Sequence, residues 1–199
     1  MAQKTNTQAP DPAMPTPSNM PKNLARATYL ANYGSGWPEQ FVSEELAVPT
    51  TMTLDWSKVQ AFLQACQAAR VGYALGAKVP DDNSVPGRDF TTVDCSGFVR
   101  AAVHRATDPT VPFPDGSVVQ QDWVRAKGFA CVGVGDGMLA DGKVRIAFLN
   151  PQDSQGGVGH VVLVCNAFTA ESHGGVGPDS RPFDGTGWQS KAKVYLLTT

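Results

Sequence analysis

The hydrophobic pattern of this chain changes its period near the middle, and the change limits the folds that it can adopt. Before Pro109, apolar residues recur at helical spacing in segments that begin at Asp55 and at Asp94. After Pro109, short apolar runs separated by Gly, Asp, Asn and Pro are typical of strands; these runs are FACVGV, VRIAFL, HVVLVC, AFTAESH and KVYLL. Helices followed by strands predict an α+β domain, with helices packed on a mainly antiparallel β-sheet.

The domain organisation is predicted from length and proline placement. A length of 199 residues is typical of one domain. Because five of the fifteen prolines lie within the first 21 residues, we predict a flexible tail over residues 1–22 and a single domain over residues 23–199. NLARATYLANYG predicts a short helix at the start of that domain. The tail has no apolar run like that of a secretory signal, and two interpretations stay open: a gene-start remnant, or a docking or delivery arm.

Composition excludes several classes of protein. Hydrophobic residues make up 42% and charged residues 17%, unlike a disordered, charge-rich chain. Lys and Arg number 16 against 18 Asp and Glu, so the net charge of -2 gives no electrostatic basis for binding nucleic acid or an anionic membrane. Nor does any apolar stretch reach the length of a membrane-spanning helix. The four cysteines have neither CxxC nor zinc-like spacing, and we predict no metal and no cofactor.

A cysteine near the middle of the chain is the strongest candidate for chemistry. DCSGFVRAAVHRATDP predicts a helix capped by Asp94, with Cys95 in its first turn. Unpaired backbone N–H groups and the positive end of the helix dipole favour the reactive thiolate there. Ser96 and Gly97 leave room for a substrate, although such a cysteine on its own is also compatible with a structural role. Cys66 lies on the apolar face of an earlier helix and is predicted to be buried.

Two histidines follow on a predicted hairpin, HVVLVCNAFTAESH. A tight turn at residues 166–167 places Cys165 opposite Phe168, and in the same register His160 opposite His173. Nucleophilic catalysis requires such a set beside a cysteine: a histidine base, and a second polar group that fixes its tautomer and orientation. We therefore predict that the two imidazoles are neighbours.

Each histidine also has a simpler interpretation. His160 could be a hydrogen-bonded histidine of the core, and His173 a polar residue at the end of a strand. His104 lies with Arg100 on the polar face of the cysteine helix, where a solvated side chain is predicted.

Three segments in this order, VDCSGFVRAAV, GHVVLVC and ESHGG, resemble the catalytic segments of the NlpC/P60 cysteine peptidases. These are papain-like enzymes that cut the peptide stems of bacterial peptidoglycan, and the resemblance spans about residues 69–199. It implies a papain-like fold in which Cys95, at a helix N-terminus, is the nucleophile, His160 is the general base and His173 is the third polar residue. GYALGAKVP matches a further segment and implies that the hydroxyl of Tyr73 helps to form the oxyanion hole.

The resemblance also implies a set of substrate contacts. Asp94 and Ser96 match positions that flank the nucleophile, Gly159 precedes the base, and VPFPDGSVVQQDW, which ends at Trp123, resembles a segment that lines the cleft. Two features depart from the family. Residues 78–90 form an insertion, predicted as a surface loop, and DGKVRIAFLNPQD replaces the usual "PGDLVFF" strand entry.

The implied function is hydrolysis of an amide bond in the peptidoglycan stem peptide through a cysteine acyl-enzyme, by a monomer. The implied bond lies between γ-D-glutamyl and meso-diaminopimelate. Alternatives are an N-acetylmuramoyl-L-alanine amidase, a transglutaminase or a deamidase on the same site, and a non-catalytic binding or tail-assembly module.

Delivery is a separate expectation. A protein made in the bacterial cytoplasm without a signal peptide would need another machine to reach the periplasm of a target cell. We favour a type VI secretion effector, which implies an immunity protein and a secretion-machine carrier as partners. A phage lysin or tail hydrolase, and a cytoplasmic recycling peptidase, are the alternatives.

Overall fold

The computed structural model describes residues 52–198. The helices are α1 (Trp56–Ala68), α2 (Cys95–Ala106), α3 (Ser117–Ala126) and the short α4 (Val134–Gly137). The strands are β1 (Cys131–Val132), β2 (Arg145–Leu149), β3 (His160–Cys165), β4 (Phe168–His173), β5 (Gly177–Asp179) and β6 (Lys193–Leu196), with 3-10 turns at Pro151–Asp153 and Gly187–Lys191. The predicted tail and the helix at residues 23–34 lie outside the described residues.

The six strands form one sheet in the order β1-β6-β2-β3-β4-β5, with every neighbouring pair antiparallel. The prediction of an α+β fold with a mainly antiparallel sheet is therefore confirmed. The predicted hairpin register is confirmed at its turn, where Cys165 pairs with Phe168. Asn166 and Ala167 have φ values of 51° and 62°, which is the left-handed geometry of a tight hairpin turn.

The two helices predicted between Asp55 and Pro109 are present and begin at the predicted caps. The Asp55 side chain accepts a hydrogen bond from the backbone N–H of Ser57 at 2.9 Å. The Asp94 side chain accepts one from the backbone N–H of Gly97 at 2.7 Å. Each cap satisfies a helix N–H that would otherwise have no partner. Helix α2 packs against α1, β3 and β4, which places Cys95 at the edge of the main core.

Strand β3 is covered on both faces. Val161, Leu163 and Cys165 face the core that contains α1 and α2. Val162 and Val164 face a second apolar cluster. Alternation between two buried faces leaves this strand little freedom to shift its register, since a one-residue slip would exchange the two sets. His160, at the start of the strand, is positioned by that fixed register.

Three elements were not predicted as such. Part of the segment VPFPDGSVVQQDW forms helix α3, the short helix α4 follows β1, and β5 adds an outer strand next to β4. None of the helices within residues 52–198 is long and apolar enough to cross a membrane.

The insertion at residues 78–90 is an irregular loop, as predicted, and basic residues of α2 attach it to the domain. His104 Nδ1 lies 2.8 Å from Asp82 Oδ1 in the loop, and its Nε2 lies 3.0 Å from the carbonyl oxygen of Phe113. Arg105 donates to the carbonyl of Ser84 at 3.0 Å. The prediction of a solvated His104 is wrong, because its side chain is only 16% exposed and both ring nitrogens are bonded.

Candidate active site

Cys95 is the first residue of α2 and is 4% exposed. Its Sγ lies 3.9 Å from the carbonyl oxygen of Gly159, the residue that precedes β3. A second contact fixes the start of the helix against the sheet: the Ser172 hydroxyl donates to the carbonyl of Val93 at 2.7 Å, and this bond is buried. The thiol is thus positioned by both the helix and the sheet.

His160 contacts both the thiol and a buried carboxylate. Its Nε2 donates to Glu171 Oε2 at 2.8 Å, so the Nδ1 nitrogen remains for proton exchange. Burial lowers the pKa of His160, but hydrogen bonds with Cys95 and Glu171, together with the negative charges of these two groups, outweigh burial and raise it to about 9. The imidazolium is therefore the stable form at neutral pH. The Trp188 ring packs edge-on against the imidazole, with the ring centroids 5.1 Å apart.

Glu171 is fully buried and accepts four hydrogen bonds from three residues. Its Oε1 accepts from the Thr169 hydroxyl at 2.6 Å and from Arg181 Nε at 3.1 Å. Its Oε2 accepts from Arg181 Nη2 at 2.7 Å as well as from His160. Burial raises the pKa of Glu171, but the hydrogen bonds from His160, Arg181 and Thr169 outweigh burial and lower it to about 2. The carboxylate therefore stays ionised and holds the imidazole in one orientation.

The structure places Glu171, and not the predicted His173, in hydrogen bond with His160. His173 Nε2 lies 3.4 Å from Asp179 Oδ2, and its Nδ1 lies 3.3 Å from the carbonyl oxygen of Gly174. The role predicted for His173 is therefore corrected: the residue lies in the same cavity as His160 but is paired elsewhere.

The physical reason is the path of β4. Its ladder with β3 ends at the pair Leu163↔Ala170, so β4 separates from β3 from Glu171 onward, while β5 pairs with the other edge of β4. The predicted pairing of His160 with His173 would need the first ladder to continue to its end. Glu171 lies two residues before His173 on the same face, so the predicted register itself gave the signal: a diagonal neighbour is within reach of a long side chain.

Tyr73 lies near enough to the thiol for the charge of Cys95 to act on its hydroxyl, and its role in an oxyanion hole stays a prediction. A short parallel bridge between Gly72 and Thr92 brings this segment next to the start of α2. Burial, and then the negative charges of Cys95 and Asp94, raise the pKa of Tyr73. A raised pKa keeps the phenol protonated at neutral pH, so that it can donate a hydrogen bond.

Asp94 and Ser96 flank Cys95 but are only 4% and 3% exposed. Lys78 Nζ donates to both Asp94 oxygens, at 2.8 and 2.7 Å, and lies 2.6 Å from Ser96 Oγ. Asp94 also accepts from the backbone N–H groups of Gly76 at 3.0 Å and Gly97 at 2.7 Å. Both side chains are occupied in a network that fixes the start of α2, and the substrate contacts expected of Asp94 and Ser96 stay a prediction.

Gly159 lies at the site, whereas Trp123 lies in an aromatic cluster of the core. A Cβ at Gly159 would lie 2.7 Å from Ser117 Oγ, which leaves no space for a side chain. Trp123 instead packs between Phe113 and Phe129, with ring centroids 5.1 and 6.0 Å away. The cleft-lining role expected of Trp123 is therefore corrected, and the aromatic residue against the imidazole is Trp188, which the sequence did not single out.

A cavity of about 510 Å³ opens beside His160. Its lining includes two basic side chains, one acidic side chain and an aromatic ring; these are Arg181, Lys191, Asp153 and Trp188. Within residues 52–198, no group of three or more His, Cys, Asp or Glu side chains is arranged to hold a metal ion.

The other cysteines differ from Cys95. Cys66 is buried as predicted, and burial raises its pKa to about 12. Burial also raises the pKa of Cys165. Cys131 is exposed. None of the three lies beside a histidine–carboxylate pair in the part of the chain that the structure describes.

No protein-family model matches this chain, and no curated protein matches it significantly.

Proposed function

We propose that this protein is a cysteine hydrolase of amide bonds, with a papain-like fold of the NlpC/P60 type. One observation carries the proposal. Cys95, at the first turn of a helix, adjoins His160, whose other ring nitrogen is hydrogen-bonded at 2.8 Å to the buried Glu171. This is the arrangement of nucleophile, base and orienting group that nucleophilic catalysis needs.

In the first step, the Cys95 thiolate attacks the amide carbonyl carbon, and the carbonyl π electrons move to oxygen. The backbone N–H of Cys95 belongs to the first turn of α2 and has no helical partner, so it is free to stabilise the oxyanion. The protonated Tyr73 hydroxyl is the second donor.

In the second step, the imidazolium of His160 gives a proton to the departing amine nitrogen, and the C–N bond breaks to leave a thioester. Neutral His160 then takes a proton from water. The resulting hydroxide attacks the thioester carbonyl, the C–S bond breaks, and the thiolate and imidazolium are restored. Glu171 stays ionised throughout, which keeps the His160 ring in place.

The proposed substrate is the peptide stem of bacterial peptidoglycan, cut between γ-D-glutamyl and meso-diaminopimelate. The support is the resemblance of the three segments around Cys95, His160 and His173 to catalytic segments of the family. Because fold alone does not fix substrate, the choice of bond depends on product analysis.

The test is digestion of purified peptidoglycan by the full chain, followed by mass spectrometry of the soluble fragments. We expect new diaminopimelate amino termini with the wild type and none with Cys95→Ala. Cys131→Ala, which removes an exposed thiol, is the matched control and should be fully active. Fragments separated from muramic acid would instead show an amidase, and equal product from Cys95→Ala would end the proposal.

Because the wall lies outside the cytoplasmic membrane, the proposed reaction also requires delivery to the periplasm. We propose an antibacterial effector exported by a type VI secretion machine and neutralised by an immunity protein in its producer. Expression in a test bacterium with and without a periplasmic leader checks this. Growth arrest that needs both the leader and Cys95 supports it, and unimpaired growth contradicts it.

A further inference from the structure

The cavity lies on the His160 side of the proposed site and not on the Cys95 side. His160 and Trp188 line it, whereas Cys95 does not. In the proposed reaction, His160 protonates the amine that departs. The part of the substrate attached to the departing nitrogen is therefore the part that lies nearest to this cavity.

The side chains that line the cavity include more basic than acidic groups. Arg181 and Lys191 line it, and Asp153 is the one acidic residue among the lining side chains. The negative charge of Glu171, behind the cavity wall, is balanced by the His160 imidazolium. Asp179 also lies beside the wall, 3.4 Å from His173, and its negative charge acts on Arg181. The excess of positive charge therefore belongs to the side chains that line the cavity, where Arg181 and Lys191 face the single carboxylate of Asp153.

Both basic side chains have hydrogen-bond donors that could bind a carboxylate of the substrate. Arg181 uses Nε and Nη2 for Glu171, while its Nη1 makes no hydrogen bond within residues 52–198. Lys191 is exposed and forms no ion pair with the described part of the chain. A carboxylate between them would accept charge-assisted hydrogen bonds from both. Trp188 provides an apolar wall for the carbon chain that carries it.

We infer that this cavity is a carboxylate-binding subsite for the amine component of the substrate, with Lys191 and Arg181 as its specificity-determining residues. The inference rests on the proposed function, and it narrows the substrate class. Amides whose departing amine belongs to an amino acid with a free carboxylate are cleaved in preference to those in which that group is a carboxamide.

The test compares two substrates, L-alanyl-γ-D-glutamyl-meso-diaminopimelate and the same tripeptide with both diaminopimelate carboxylates amidated. We expect wild-type kcat/KM to favour the carboxylate form about 10-fold. Lys191→Met should remove most of that preference by slowing the carboxylate substrate alone. Lys193→Met is the matched control, because Lys193 is an exposed lysine two residues away that does not line the cavity.

Failure of the subsite and failure of the proposed function give different results. Equal Cys95-dependent rates on both substrates, or the same effect from Lys193→Met, would overturn the subsite and leave the hydrolase intact. If neither substrate is cleaved, the proposed function fails. The subsite is then decided by calorimetry of the full-length Cys95→Ala variant with free meso-diaminopimelate and its diamide: equal binding, or binding unaffected by Lys191→Met, overturns it.

Discussion

Two histidine–carboxylate pairs lie on neighbouring strands of the sheet, and they differ in their carboxylates. The imidazoles have similar exposure, 18% for His160 and 17% for His173. Glu171, however, is fully buried and lies 2.8 Å from its histidine, whereas Asp179 is 31% exposed and 3.4 Å away. Exposure of the histidine therefore does not distinguish the two pairs.

The two pairs differ in the hydrogen bonds that hold the carboxylate in position. Arg181 and Thr169 donate to Glu171, so its position is fixed and its charge is retained despite burial. A partly exposed pair at 3.4 Å is screened by water and holds its imidazole weakly. Only the His160–Glu171 pair can therefore maintain one tautomer of an imidazole next to the thiol.

The largest effect on kcat/KM is expected when the two histidines are replaced in turn. His160→Ala should reduce kcat/KM by about 10³-fold or more, since general acid–base catalysis typically contributes roughly 10²–10⁴-fold. His173→Ala should reduce it by less than about 5-fold. Steady-state kinetics on the stem tripeptide measure both, with circular dichroism as the folding control. A loss of equal size in His173→Ala would restore His173 as the orienting residue.

The second prediction compares Glu171 with Asp179, each replaced by the amide of the same size. Glu171→Gln should lower kcat/KM by about 10²-fold, because the amide preserves size but removes the charge that holds the imidazolium. Because Glu171 raises the pKa of His160, the alkaline limb of the pH–rate profile should also move to lower pH. Asp179→Asn should change neither quantity. An unchanged alkaline limb in Glu171→Gln would show that this carboxylate does not control His160.

The smallest predicted effect is on stability as a function of pH. The pKa of His160 rises to about 9 from 6.5 on folding, so its contribution is complete below pH 6.5 and is lost as pH rises through 9. The pKa of Glu171 falls to about 2 from 4.5, so its contribution is present above pH 4.5 and is lost as pH falls through 2.

Chemical denaturation at pH 6 and pH 9.5 checks the alkaline part of that profile. Wild type should lose on the order of 2 kcal/mol of unfolding free energy between these values. His160→Gln should lose much less, and His173→Gln should follow the wild type. A parallel decline in all three proteins would assign the alkaline loss to other groups.

Local sequence signals predicted much of this architecture. Asp55 and Asp94 marked the helix starts because capping is decided within a few residues. The hairpin register followed from its tight turn. The partner of His160 was misassigned because the ladder between β3 and β4 ends at Leu163↔Ala170, before it reaches His173. Local sequence patterns do not show where a ladder between two strands ends.

Longer-range features of the site were not available to sequence reasoning. Lys78 reaches Asp94 from within an insertion, and Trp188 reaches His160 from a turn near the end of the domain. Neither residue has a local pattern that distinguishes it from a surface lysine or a core tryptophan. Their positions follow from packing between segments that are distant in the chain.

We expect His160, held by Glu171, to make Cys95 a nucleophile at neutral pH and below. The most direct measurement is the rate of alkylation by iodoacetamide at pH 6, followed by peptide mapping, with the exposed Cys131 as an internal reference. An ordinary thiol titrates near pH 8.5 and is almost wholly protonated at pH 6. We predict that Cys95 reacts at least about 10-fold faster than Cys131 and loses this advantage in His160→Ala. Reaction of Cys95 no faster than Cys131, or an advantage that persists without His160, would contradict the claim.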